Sequence, residues 1–365
     1  MALFEVTAYD KKIYEEELKD FLPDKIIDIH THVHRKDRSA AEAARLAALN
    51  PKKEEPEKEE KPKEKRTVSW PGLVAAHNPI EDLMETYELM FPGKEVKALM
   101  FGGGQVANEY VSECSRIHGW PALLYSHPSM QPDELEKAIR DGGFLGVKCY
   151  LSLSPAYLPA KEIRIFDFFP KYQLERLDKM GAICMLHIPR DGRLKDPVNV
   201  AQIAEIKEEF PNLRLIVAHV GRAYVDSDVG DAFETLGKYP TLKWDFCANC
   251  CDFAIREVIK AAGTKNVLFG TDMPILRMRT RRIQENGTYI NLVPPGMYGD
   301  VSVDPHLREV TAEEAEAITF FAYEELLAFK RVAIELGLTK QDIEDIMYNN
   351  AVEIIEGARK AIYGE

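Results

Sequence analysis

The stretch Ile26-Ile27-Asp28-Ile29-His30-Thr31-His32-Val33 is the first of eight short apolar or β-branched runs that organise the chain. The others are Val96–Gly102, Ala122–His127, Leu145–Leu151, Ala182–Ile188, Leu213–Val220, Leu242–Cys247 and Val267–Thr271. Several are apolar throughout, which suits strands covered on both faces. Helical patterns lie between them, among them Pro132–Asp141, Phe168–Met180, Val198–Glu209 and Cys251–Ala262. Strand–helix alternation builds right-handed βαβ units and a parallel sheet. Eight repeats within 365 residues favour a closed barrel over an open doubly wound sheet. The expected fold is α/β, a single (β/α)8 TIM-like barrel over residues 1–365 with a lid insertion after the first strand and a helical C-terminus.

The C-terminal expectation rests on local signals. Thr311 and Glu314 have capping-box spacing, and apolar residues then recur at helical intervals to Glu335 before Gly337. Thr339 opens a further helix with Ile343, Ile346 and Met347 on one face. The insertion is expected over residues 34–80. Within it, Pro51–Arg66 (PKKEEPEKEEKPKEKR) is charged at 13 of 16 positions and proline at the rest. With no apolar side chain to bury, that stretch cannot offset its own ordering entropy and reads as a mobile, solvated excursion. Ala40–Leu49 on one flank reads as a short helix. Val68–Val74 on the other carries Trp70.

Composition narrows the function. The formal charge is −13, and apolar residues make up 45% of the chain. That is ample for a core and excludes a collagenous or wholly disordered chain. It also argues against a nucleic-acid partner, which needs a basic face. No run reaches the roughly 18 to 20 apolar residues of a membrane helix, so no membrane partner is expected. Met1–Lys12 lacks a basic leader followed by an apolar run. Six cysteines are too sparse for a disulfide framework, so a reducing cytoplasm is the expected location.

The chemistry concentrates at the ends of the runs. Side chains alternate along a strand, so Asp28, His30 and His32 are expected to share the inward face. Two imidazoles two residues apart can reach one borderline metal ion. His187 ends the fifth run (AICMLH), His219 the sixth (LRLIVAH) and Asp272 the eighth (VLFGTD). Active sites of parallel α/β barrels lie at the C-terminal ends of the strands. Only nine histidines exist, and four of them take these positions.

On the pieces IIDIHTH, GVK, MLH, IVAHVGR, FGTDMP and IMYNNAVEII, the chain resembles the amidohydrolase superfamily from residue 26 to about 355. The match is to the amidohydrolase-related branch, which holds amino-carboxymuconate-semialdehyde decarboxylase, resorcylate-type decarboxylases and pyrone dicarboxylate lactonases. The resemblance implies that His30, His32, His187 and Asp272 ligate one divalent metal, zinc before manganese, with a second ion less favoured. It implies that Asp272 also takes a proton from the activated water, and that His219 holds that water or polarises the substrate. Asp28 reads as support that orients the histidines. Lys148 keeps three readings: a carboxylated bridge between two metals, a substrate-binding ammonium, or packing.

The implied activity is a metal-dependent hydrolase, using activated water on an amide, ester or lactone bond. A non-oxidative decarboxylase or lyase of the same branch is the alternative, and a catalytically silent binding barrel the minor one. Arg190 and Arg222 each stand three residues after a site histidine and suit a carboxylate, so the partner is expected to be a small acidic molecule. Trp70 and His127 are further substrate-contact candidates, as are His34 and Arg35. Arg277, Arg279, Arg281 and Arg282 read either as a basic rim or as a solvated loop. Cys247-x-x-Cys250 reads as packing and Gly102–Gly104 as a tight turn. A homo-oligomer is left open.

Overall fold

The computed structural model describes residues 3–36, 77–302 and 304–364. Trp70, the charged stretch 51–66, the expected helix 40–49 and most of the 34–80 insertion lie outside the described residues. All eight apolar runs contain a parallel strand: β1 (Lys25–His32), β2 (Glu95–Phe101), β3 (Leu124–Tyr125), β4 (Gly146–Cys149), β5 (Ile183–Leu186), β6 (Arg214–Val217), β7 (Lys243–Asp245) and β8 (Val267–Leu268). Helices Ile80–Met90, Asn108–His118, Pro132–Gly142, Lys171–Met180, Pro197–Glu209 and Asp252–Ala262 alternate with them.

The ladder is not a closed ring. β1 pairs with β2 alone, and β3 to β8 form a separate six-stranded sheet in chain order. Single bridges cross the two seams, Met100 to Ala122 and Thr31 to Met273. A few backbone bonds reinforce the second seam, among them Ile29 N–H to Phe269 O at 3.0 Å and Asp272 N–H to His30 O at 2.7 Å. Gly270 permits this approach, because a Cβ there would stand 2.9 Å from the His30 Cβ. The expected barrel is thus an α/β parallel sheet whose pairing breaks on both sides of the β1–β2 pair.

Strand parity divides the core. Met100, Val147, Leu186 and Val217 join the large cluster shared with the surrounding helices. Their neighbours Leu99, Phe101, Met185 and Ile216 join an inner cluster that also takes Ala351, Ile354, Ile355 and Ala358 of the helix Asn350–Tyr363. β1 departs from simple alternation. Asp28 aligns with Ala98 and Thr31 with Met100, so β1 carries one extra residue between those pairs. A bulge of this kind re-aims side chains. Asp28 therefore meets Tyr87 of the helix layer, while His30 and His32 lie against Phe101 of the inner cluster. The shared inward face expected for all three residues does not form.

After β8 the chain adds a small sheet. β9 (Arg281–Glu285) and β10 (Thr288–Val293) form a hairpin, and β11 (Leu307–Glu309) pairs parallel to β10. The turn uses Asn286 and Gly287 at positive φ, a pair suited to a tight hairpin. Thr311 caps the short helix Ala312–Ala315 with its expected box. The helical pattern then breaks and resumes as Phe321–Leu336, which stops at left-handed Gly337. Among the described residues, no helix is long and apolar enough to cross a membrane.

Candidate metal centre

Three donor atoms converge where β1 and β8 end. His32 Nε2 lies 3.1 Å from Asp272 Oδ1, and His30 Nε2 lies 3.7 Å from the same oxygen. His30, His32 and Asp272 therefore form one group with ligand spacing. The opposite nitrogens of the rings are already occupied. His30 Nδ1 faces Asp245 Oδ2 at 3.0 Å, and His32 Nδ1 faces the Gly102 carbonyl at 3.2 Å. Both partners can only accept, so each Nδ1 carries the proton and each Nε2 keeps its lone pair.

His219 is held in the same way. Its Nδ1 stands 3.0 Å from the Cys247 carbonyl and 3.0 Å from the Cys247 sulfur. Its backbone N–H donates to Asp245 Oδ1 at 2.7 Å. Asp245 thus orients one imidazole ring and anchors the backbone of another. A second donor group, His30, His219, Asp245 and Cys247, consists of these mutually bonded atoms and works as the support behind the first. His219 and Asp272 both adopt left-handed backbone, with φ of 58° and 53°. Such conformations cost of order 1–3 kcal/mol in non-glycine residues and concentrate at functional sites.

The electrostatics favour neutral imidazoles beside ionised carboxylates. Burial, aided by the Lys148 charge, pushes His30 down to about 4 against the pull of Asp245. Burial also lowers His219 and holds His187 well below the ordinary range, with Arg222 adding to the latter. Burial alone would raise Asp272, but the facing His32 ring and the nearby His30 and His219 hold it well below the usual carboxylate range. Asp245 is likewise kept at about 2 by His30, against its burial.

Two buried nitrogens in this region have no hydrogen-bond partner among the described residues: His187 Nδ1 and Lys148 Nζ. The His187 ring meets His219 edge-on at 5.3 Å and the Tyr150 ring at 4.7 Å. Lys148 Nζ lies 5.3 Å from the Phe101 ring centroid. Leaving such polar groups buried without a partner is costly. Together with the converging lone pairs, they fit a site built to receive a cation and an anionic ligand.

An amidohydrolase family model matches residues 27–356. The chain belongs to the amidohydrolase family. No curated protein sequence matches it. Solved structures of similar fold include 4-oxalomesaconate hydratase from Rhodopseudomonas palustris, 16% identical, covering 93% of this chain and 98% of that one with a TM-score of 0.51. The 5-carboxyvanillate decarboxylase of Sphingomonas paucimobilis is 14% identical, with 92% and 99% covered and a TM-score of 0.51. That of Novosphingobium aromaticivorans, solved with manganese and a nitrobenzoic acid, is 11% identical, with 91% and 96% covered and a TM-score of 0.52.

The other expected site residues are bonded to groups other than the three donor side-chain atoms. Arg190 pairs with Asp196, the residue capping the helix Pro197–Glu209, through its Nε at 3.1 Å. Arg222 donates to the carbonyls of Ile188, Pro189 and Arg190, so it fastens the loop that follows His187. His127 bonds Ser129 within its own turn. Asp28 accepts from the backbone of His30 and Thr271 and from the Tyr87 and Thr271 hydroxyls, so it holds strand backbone, not an imidazole. The arginine run forms no open rim. Arg277 donates to Asn78, Arg279 to Asp10, Arg281 to the Ala317 carbonyl and Arg282 to the Ala248 carbonyl.

Asp245, Tyr150 and Phe101 were not expected at the site. Asp245 ends β7, so the strand-end criterion that selects His187, His219 and Asp272 applies to it as well. Cys247 is also more than packing filler, since its sulfur and carbonyl both meet His219.

Proposed function

We propose that the chain is a divalent-metal-dependent enzyme acting on a small carboxylated molecule, with hydrolysis of an amide, ester or lactone as the first reading. The observation that carries it is the convergence of His30 Nε2, His32 Nε2 and Asp272 Oδ1 while each ring is held from behind. His30, His32, His187 and Asp272 would hold the ion, zinc or manganese. The ion, when bound, supplies Lewis acidity toward water or a carbonyl or carboxylate oxygen.

The protein's own groups supply the rest. Asp272, ionised at neutral pH, accepts a proton at its carboxylate. His219 is neutral and pinned through Nδ1, so it presents Nε2 to the reacting group. Lys148 has a buried amine with no protein partner, and a substrate carboxylate would satisfy it. Tyr150 and Phe101 supply apolar walls beside His187 and Lys148.

Decarboxylation is the second reading. The solvent-shielded Lys148 amine favours it, as does the presence of two 5-carboxyvanillate decarboxylases among the similar folds. The two readings separate by product. The metal-loaded protein is offered a panel of lactones, amides and aromatic or conjugated carboxylic acids. A new carboxyl group without released carbon dioxide supports hydrolysis, and carbon dioxide release supports the second reading. Turnover of none of them, in protein that binds metal, contradicts both.

A further inference from the structure

Asn78 is the second described residue after the undescribed stretch and is completely buried. Its backbone N–H and C=O both pair with His34, at 3.0 and 2.9 Å. Its side-chain Nδ2 donates to the His32 carbonyl at 2.7 Å. Its Oδ1 accepts from Arg277 NH2 at 2.6 Å. One amide therefore joins the residue that ends β1, itself in the donor group, to the loop that leaves Asp272. It does so at one of the two seams where the strand ladder breaks. Besides the Thr31–Met273 bridge, the backbone bonds joining the β1 end to the chain after β8 are His32 N–H to Met273 O at 2.9 Å and Asp272 N–H to His30 O at 2.7 Å.

We propose that Asn78 is a positioning residue for the metal centre, steadying the His32 donor relative to Asp272 by tying the His32 carbonyl to the Arg277 side chain of the loop that follows Asp272 across the β8–β1 seam. The proposal rests on the metal reading above. The His32 ring is set by its own backbone and by the Gly102 carbonyl behind Nδ1. Without the Asn78 bond the His32 peptide gains freedom relative to the loop bearing Asp272. Contacts one layer behind a ligand commonly change metal affinity by about 10- to 100-fold when removed. Both amide atoms are used, one as donor to His32 and one as acceptor for Arg277.

The test titrates the metal-stripped full chain with Co2+, reading affinity and the visible spectrum, beside thermal unfolding of the metal-free protein. Asn78→Ala removes both bonds. Asn78→Asp keeps an acceptor for Arg277 but sets a carboxylate oxygen against the His32 carbonyl, and it serves where the alanine variant fails to fold. Tyr323→Phe is the control, since it deletes a buried hydroxyl bond to the Met90 carbonyl away from the donor group. The expected result is about a tenfold weaker Co2+ affinity and a shifted spectrum in both Asn78 variants. Tyr323→Phe should lower thermal stability and leave both readouts unchanged. Wild-type affinity and spectrum in a folded Asn78 variant would overturn the proposal. So would a loss of affinity in Tyr323→Phe matching its loss of stability. A wild-type chain that takes up no Co2+ defeats the metal reading itself, before any variant is compared.

Discussion

Two buried polar clusters in this chain are built on different plans. Asp10 is completely buried, and both of its carboxylate oxygens have protein partners. The carboxylate accepts from Thr7 N–H at 2.7 Å, from the Thr7 and Thr319 hydroxyls at 2.9 and 2.7 Å, and from both terminal nitrogens of Arg279. The terminal nitrogens of Arg279 also donate to the Ile318 and Glu5 carbonyls, and the guanidinium covers the Phe320 ring. Around His30, by contrast, the partners are supplied on one side only. The Nδ1 atoms are tied back, while Lys148 Nζ and His187 Nδ1 are left without partners. A cluster closed on itself stabilises the fold. A cluster left open on one side is a receptor for something else.

That contrast predicts which kind of damage each substitution does. The largest effect is expected from Asp272→Asn. Loss of the proton acceptor should lower kcat by about a thousandfold, with the metal-free protein unfolding at nearly the wild-type temperature. A near-normal rate would remove Asp272 from proton transfer. Asp10→Asn should do the reverse. Removing one partner from a buried ion pair costs about 3 kcal/mol, read by urea unfolding, with metal affinity unchanged. The folded Asp10 carboxyl lies below its ordinary range because Arg279, Thr319 and Thr7 outweigh its burial. Its contribution is therefore full above the unfolded value of about 4 and is lost as pH falls through the folded value. The stability gap between Asp10→Asn and wild type should narrow below about pH 4. A gap that stays constant to lower pH would deny the charge its role.

The smallest expected effect sharpens the comparison most. Lys148→Met replaces an unpartnered buried amine with an apolar side chain of similar length. Stability should hold or rise, by up to about 1 kcal/mol, while KM for a carboxylated substrate rises at least about tenfold. Lost stability with unchanged KM would place Lys148 with Asp10 as a structural group.

The sequence made the order of the strands legible because each strand is a buried apolar run bounded by polar residues or glycine. The ends of those runs also pointed to His187, His219 and Asp272. Other features depend on information that is not local. The bulge that turns Asp28 toward Tyr87 arises from the register between β1 and β2, which no single strand encodes. The β9–β10 hairpin hid behind Arg281-Arg282-Ile283-Gln284-Glu285, a strand too polar to stand out. Its Asn286-Gly287 turn was the available signal. Arg190 and Arg222 looked alike by spacing, yet one caps a neighbouring helix through Asp196 and the other fastens a loop. Spacing gives a guanidinium's place along the chain, and only packing decides what it holds.

The central claim is that the open cluster holds a metal. The most direct test is elemental analysis of the chain purified without chelator, beside His32→Ala handled identically. About one zinc or manganese per wild-type chain is expected, and a large loss in the variant with the fold intact. No retained metal after reconstitution of the wild type, or equal metal in His32→Ala, would contradict it.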